Sequence, residues 1–81
     1  MTEVISVNYT LQLIKRSAEG VRIHALQKNN AKAVDLLNRA IADMADIQQR
    51  MTNGEAFGHE KFIQATVQYT QAMDMMYGSS P

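Results

Sequence analysis

Apolar and small side chains recur along the first third of the chain at alternating spacings of three and four residues. A helix turns once every 3.6 residues, so these positions lie on one seam of a helix. The pattern predicts a helix over residues 3–28 that packs this seam against another helix, and we expect it to organise the fold. The seam comprises Val4, Val7, Leu11, Ile14, Ala18, Val21 and Ala25.

Gly20 is the one residue that opposes this helix, because glycine costs about 1 kcal/mol relative to alanine inside a helix. The seam keeps its phase on both sides of Gly20. We therefore predict a continuous helix rather than a break at residues 17–20. Because Gly20 lies off the seam, it could allow another backbone to approach closely.

Two further helices are predicted over residues 31–51 and 59–77. Asn29 and Asn30 suit both the end of one helix and the cap of the next, and Asn53 with Gly54 is a helix stop. Residues 78–81 are expected to be a tail. The chain is thus predicted to be a single all-α domain over residues 1–81, either a three-helix antiparallel bundle or a long helical hairpin with a third helix.

Composition excludes several kinds of protein. The absence of cysteine excludes disulfides and thiolate chemistry, and two histidines are too few for a structural zinc site. No apolar run is long enough to span a membrane, and the N-terminus lacks the features of a signal peptide, so we expect a cytoplasmic protein. Export by a route that reads no cleavable signal stays open.

The net charge of zero conceals an asymmetry along the chain. Residues 15–39 carry six basic and two acidic side chains, whereas residues 40–81 carry two basic and five acidic ones. Two explanations of this distribution are complementary packing of neighbouring helices and a basic patch that docks an acidic partner. One alternative is a nucleic-acid-associated regulator that uses a basic edge of the first two helices; the cationic residues are Lys15, Arg16, Arg22, Lys28, Lys32 and Arg39.

Neither histidine forms a recognisable catalytic or metal-binding motif. His24, followed by Leu26 and Lys28, partly matches the histidine phosphotransfer motif, but the lysine is one place late and the glycine is absent. A phosphotransfer domain that uses His24 is therefore a second alternative. His59 has no second metal ligand one turn away. The sequence predicts neither a metal, a cofactor nor an enzyme.

The side of the first helix opposite the seam also carries apolar residues. Such a helix is usually buried on two faces, and two helices of this length are unlikely to cover both. The uncovered remainder is predicted to contact a second copy or another protein, unless the third helix covers it and the protein is a closed monomer. Met75, off the predicted core stripe of the third helix, is a further candidate. The predicted partner-binding residues are Ile5, Tyr9, Leu13, Ile23 and Met75.

Residues 31–77 resemble the small all-helical proteins of bacterial type III secretion and flagellar export, namely needle co-chaperones and rod-type subunits. The resemblance consists of a helix that ends at Met51, a break at residues 53–55, and a helix that carries Phe62, Tyr69 and Met73. It implies a small bacterial or phage interaction protein and assigns no functional residue. With the exposed apolar face, it predicts a non-enzymatic interaction module such as an adaptor, chaperone, inhibitor or assembly subunit.

Overall fold

The structure is a computed structural model that describes residues 2–55 and 59–78, with side chains described from residue 8 onward. It contains the helices α1 (Thr2–Gln27), α2 (Ala31–Thr52) and α3 (His59–Tyr77). The predicted all-α three-helix bundle is confirmed. α1 is continuous through Gly20, and a Cβ atom built there meets nothing within 4 Å. The open space at Gly20 shows that no other part of the described chain approaches it closely.

Adjacent asparagines make the turn between α1 and α2. Asn29 adopts a left-handed conformation with φ of 56°. Its N–H donates to the Leu26 carbonyl at 3.1 Å, and the Asn30 N–H donates to the Ala25 carbonyl at 2.9 Å. This pair of bonds is the Schellman ending of a helix. Asn30 also caps α2, because its side-chain oxygen accepts a hydrogen bond from the Ala33 N–H at 3.2 Å.

The end of α2 has the same geometry with glycine in place of asparagine. Gly54 has φ of 82°, and its N–H donates to the Met51 carbonyl at 3.0 Å. The Glu55 N–H donates to the Arg50 carbonyl at 2.9 Å, which completes a second Schellman ending. Positive φ carries little steric cost for glycine, so α2 ends here and the chain turns toward α3.

α2 is the central helix of the bundle. It contacts both α1 and α3 extensively, whereas α1 and α3 contact each other only a little. Short connections join α2 to both neighbours, so α1 and α3 each pack back onto α2. The helix that organises the fold is therefore α2, and not the first helix as the sequence pattern led us to expect. The buried core comprises Leu11, Ala18, Val21 and Ala25 of α1, Ala33, Leu37, Ala40, Met44 and Ile47 of α2, and Ala65 and Ala72 of α3.

Side-chain hydrogen bonds define the directions of the helices. Near one end of α2, Asn30 contacts Met76 of α3, and near the other end Asp46 contacts Lys61, so α2 and α3 are antiparallel. α1 is likewise antiparallel to α2 across its tight turn. Both outer helices therefore run in the same direction, side by side on α2.

Two tyrosine hydroxyls join α1 to α3. The Tyr69 hydroxyl lies 2.6 Å from the Ser17 hydroxyl, and the Tyr77 hydroxyl lies 2.6 Å from Nδ1 of His24. The paired residues differ by 52 and 53 positions. The nearly equal separations show that α1 and α3 run in the same direction past both contacts.

Candidate docking surface

Among the described side chains, eight large apolar ones are exposed, all on the outer helices, and four of them form two pairs with the same spacing. On α1, Tyr9 is 63% exposed and Leu13 is 48% exposed. On α3, Ile63 is 50% exposed and Val67 is 48% exposed. Each pair is four residues apart, which places its two side chains on one side of their helix. These four residues are called the outer face below.

The outer face points away from α2. Tyr9 is nine residues before the buried Ala18, and Ile63 is nine residues before the buried Ala72. Nine residues are two and a half helical turns, so each exposed side chain lies opposite the corresponding buried alanine. Because the buried sides of α1 and α3 both pack on α2, each exposed pair lies on the side of its helix that points away from α2.

The two halves of the outer face lie toward the same end of the bundle. Tyr9 and Leu13 come before Ser17 on α1, and Ile63 and Val67 come before Tyr69, which contacts Ser17 from α3. Because α1 and α3 run in the same direction, both exposed pairs lie on the same side of this contact along the bundle.

The predicted partner-binding residues do not all lie on this surface. Tyr9 and Leu13 belong to it, whereas the side chain of Ile5 lies outside the described part of the chain. Ile23 is 56% exposed but lies ten residues beyond Leu13, roughly 15 Å along the helix. Met75 is 47% exposed and lies on another flank, where it lines a shallow depression with Leu36 of α2. The structure thus separates Ile23 and Met75 from the outer face.

Ile63 and Val67 were not among the predicted contact residues. Their signal in the sequence is an apolar pair at i, i+4 that lies off the core stripe of the third helix. The corresponding signal on the first helix is the pair of Tyr9 and Leu13. Comparing the two pairs requires the axial offset between α1 and α3, which the sequence pattern does not contain.

The cationic side chains do not form one continuous edge. Arg22 donates to the Asn38 side chain at 3.1 Å, and Arg39 pairs with Asp35 at 3.1 Å within α2. Lys15 and Arg16 line a polar depression together with Glu19, Gln48 and other polar residues. Lys32 lines a different depression near the end of α3, beside Asp35 and Asp74. Acidic or amide groups therefore accompany these cations.

His24 is a half-buried residue at the boundary between α1 and α3. Besides the hydrogen bond to the Tyr77 hydroxyl, the two rings lie 5.5 Å apart between centroids and are tilted by 38°. The imidazole therefore packs against α3 and joins the two helices. Within the described residues, histidine and acidic side chains form no group of three or more that could hold a metal ion.

One ion-pair cluster connects α2 to α3. Lys61 donates a hydrogen bond to the Asp46 carboxylate at 2.8 Å, and Arg50 lies 3.0 Å from the same oxygen. The hydrogen bond from Lys61, with a further contribution from Arg50, lowers the pKa of Asp46 below its ordinary value of 3.8. This cluster lies on the flank shared by α2 and α3, so it supports the fold rather than the outer face.

None of the helices, over the described residues, is both long enough and apolar enough to cross a membrane. The chain matches no known protein family, and it has no significant similarity to curated proteins or to solved structures.

Proposed function

We propose that this protein is a non-enzymatic helical interaction module that binds a protein partner through its outer face. The observation that supports this function is the exposure of Tyr9 and Leu13 on α1 and of Ile63 and Val67 on α3, toward the same end of the bundle and facing away from α2. Contiguous exposed apolar side chains on a small protein mark interaction surfaces. An adaptor, a chaperone, an inhibitor and an assembly subunit would all use such a surface.

The chemistry of the outer face suits a protein partner. Full burial of one large apolar side chain contributes about 1.5–3 kcal/mol, and each of these four has about half of its surface left to bury. Together they can contribute several kcal/mol against the entropy cost of association. Tyrosine is enriched among the residues that dominate binding energy, which makes Tyr9 the expected anchor and Leu13 its neighbour.

Lysine substitutions on two sides of α1 test this function. Leu13→Lys and Tyr9→Lys place a charge in the proposed contact. Leu26→Lys makes the same leucine-to-lysine change at a side chain that is 56% exposed near the end of α1. We expect the first two variants to lose association while Leu26→Lys keeps it, with equal helicity by circular dichroism in all three.

Association is measured by light scattering at several concentrations and by quantitative pull-down from host lysate. A wild-type chain that stays monomeric and captures nothing would contradict the proposal. Equal loss of association in Leu13→Lys and Leu26→Lys would also contradict it, since the effect would then not depend on the outer face.

A further inference from the structure

We propose that Asn53 is a site of spontaneous deamidation, and that the turn at the end of α2 suppresses this reaction while the chain is folded. The inference concerns the connection between α2 and α3 and is independent of the proposed function. Asparagine is among the thermally labile residues of proteins. Of the five asparagines in the sequence, Asn53 alone precedes a glycine. Because glycine has no side chain, the backbone nitrogen after Asn53 is the least hindered in its approach to the asparagine amide.

The reaction joins the side chain of Asn53 to the backbone of Gly54. Hydroxide removes the proton from the Gly54 nitrogen, which then attacks Cγ of Asn53. The new N–Cγ bond forms, the bond from Cγ to Nδ2 breaks, and Nδ2 leaves as ammonia after taking a proton from water. Water then opens the resulting succinimide ring at either carbonyl, which leaves aspartate or isoaspartate at position 53. The net change is addition of water and loss of ammonia, so the reaction needs no oxidant or reductant.

Both reacting residues are open to solvent. Asn53 and Gly54 are exposed, and a Cβ atom built on Gly54 meets nothing within 4 Å. Hydroxide can therefore reach the Gly54 nitrogen, and ammonia can leave without displacing a core side chain. Since burial does not protect this site, its protection depends on the backbone geometry of the turn.

That geometry opposes the attack in the folded chain. The Gly54 N–H donates to the Met51 carbonyl at 3.0 Å, so the attacking nitrogen is engaged in a hydrogen bond. Asn53 has ψ of 3°, which turns the Gly54 nitrogen toward the backbone nitrogen of Asn53 and away from its side chain. Ring closure instead requires the Gly54 nitrogen to lie beside Cβ of Asn53. The hydrogen bond must therefore break, and ψ must rotate, before deamidation can occur.

Two neighbouring hydrogen bonds add to this protection. The Asn53 N–H donates to the Gln49 carbonyl at 3.0 Å, and the Glu55 N–H donates to the Arg50 carbonyl at 2.9 Å. Rotation about ψ of Asn53 would move the N–H groups of Gly54 and Glu55 away from their acceptors in the Schellman ending. The reaction therefore requires local opening of the turn, and its rate in the folded chain is scaled by the open fraction.

The products of deamidation should weaken the end of α2. Aspartate at position 53 adds a negative charge at the C-terminal end of the helix, where the helix dipole is already negative. Isoaspartate should have a larger effect, because the main chain then passes through the former side chain and gains a methylene group before Gly54. The added group shifts the N–H groups of Gly54 and Glu55 relative to the carbonyls of Met51 and Arg50, so the Schellman ending is lost.

The rate of deamidation in folded and unfolded chains tests this proposal. The full chain is incubated at mildly alkaline pH with and without guanidinium chloride, and trypsin then releases residues 51–61 as one peptide. In denaturant, Asn53 should react before any other asparagine. In native buffer its reaction should be slower by about ten-fold or more, which corresponds to an opening free energy of at least about 1.4 kcal/mol. Mass spectrometry detects the product, and chromatography separates the aspartate and isoaspartate peptides.

Matched controls separate the chemistry from the protection. Asn53→Gln keeps an amide but lengthens the side chain, which disfavours ring closure, so residues 51–61 should then stay unmodified in denaturant. Hydrogen exchange at the Gly54 amide measures opening of the turn, and its protection factor should match the factor by which folding slows deamidation. Asn53→Asp imitates one product and should lower the midpoint of thermal unfolding by about 2–5 °C. Chains with isoaspartate at this position should unfold at a lower temperature still.

Each possible result decides one part of the proposal. Slower deamidation of Asn53 in native buffer than in denaturant, by a factor that matches the exchange of Gly54, supports protection by the turn. Equal rates in the two conditions would overturn that protection. Faster reaction of another asparagine in denaturant would overturn the assignment of the site. Equal unfolding temperatures for unmodified and isoaspartate-containing chains would overturn the weakening of α2.

Discussion

The hydroxyl groups of Ser17 and Tyr69 lie 2.6 Å apart and join α1 to α3, two helices that otherwise contact each other little. A hydrogen bond of this kind contributes about 0.5–1.5 kcal/mol net, and partial exposure places this one near the lower end. The bond also holds α1 beside α3, so that the two exposed pairs of the outer face lie toward the same end of the bundle.

Removal of the Tyr69 hydroxyl should weaken the fold modestly. We expect Tyr69→Phe to lower the free energy of unfolding by about 0.5 kcal/mol in urea titrations. Tyr9→Phe removes the same atom from an exposed tyrosine and should change stability by less than about 0.5 kcal/mol. If Ser17→Ala and Tyr69→Phe were fully additive in a double-mutant cycle, the two hydroxyls would not be coupled.

Truncation of the central helix should have a far larger effect. Leu37 is fully buried in α2, and Leu37→Ala should cost about 2–5 kcal/mol through lost burial and the cavity that remains. A chain of 81 residues has roughly 4–12 kcal/mol of stability in total, so the variant should be partly unfolded on mild heating. Leu26→Ala, at an exposed position, should stay within about 0.5 kcal/mol of the wild type by circular dichroism. Comparable losses in the two variants would contradict the assignment of α2 as the core.

Acid should remove the contribution of the Asp46 cluster. Folding lowers the pKa of Asp46, so its stabilising effect is fully present above about pH 4, the value for the unfolded chain. The effect is lost as the pH falls further, through the pKa of the folded state. The difference in unfolding free energy between wild type and Asp46→Asn should therefore shrink below about pH 4. Lys61→Gln should reduce the same pH dependence, since Lys61 is the main cause of the shift. A difference that stays constant with pH would contradict this prediction.

The adjacent asparagines of the first turn should respond in opposite ways. Asn29 has positive φ, so Asn29→Gly should be neutral or stabilise the protein by up to about 1 kcal/mol. Asn30 caps α2, and Asn30→Ala should destabilise the protein by about 1 kcal/mol. Thermal unfolding of the two variants beside the wild type measures both changes. A loss of stability in Asn29→Gly would show that its side chain, rather than its backbone conformation, matters at the turn.

Local patterns in the sequence determine much of this fold. The spacing of the α1 seam predicts a helix through Gly20, and α1 continues through that residue. The turns are predicted by Asn29, Asn30 and Gly54. Asparagine suits both capping and positive φ, and glycine suits positive φ because it has no side chain. The exposure of Tyr9 and Leu13 also follows the helical period, since both lie opposite the seam.

The tertiary structure alone decides which helix is central and how the outer helices align. The three predicted stripes do not reveal that α2 contacts both neighbours while α1 and α3 meet mainly through tyrosine hydroxyls. The height of Leu13 relative to Ile63 and Val67 depends on the path of two turns and on the rotation of each helix about α2. Helical periodicity describes one helix at a time, so the sequence by itself determines the exposed pairs, and only packing on α2 brings both pairs to the same end of the bundle.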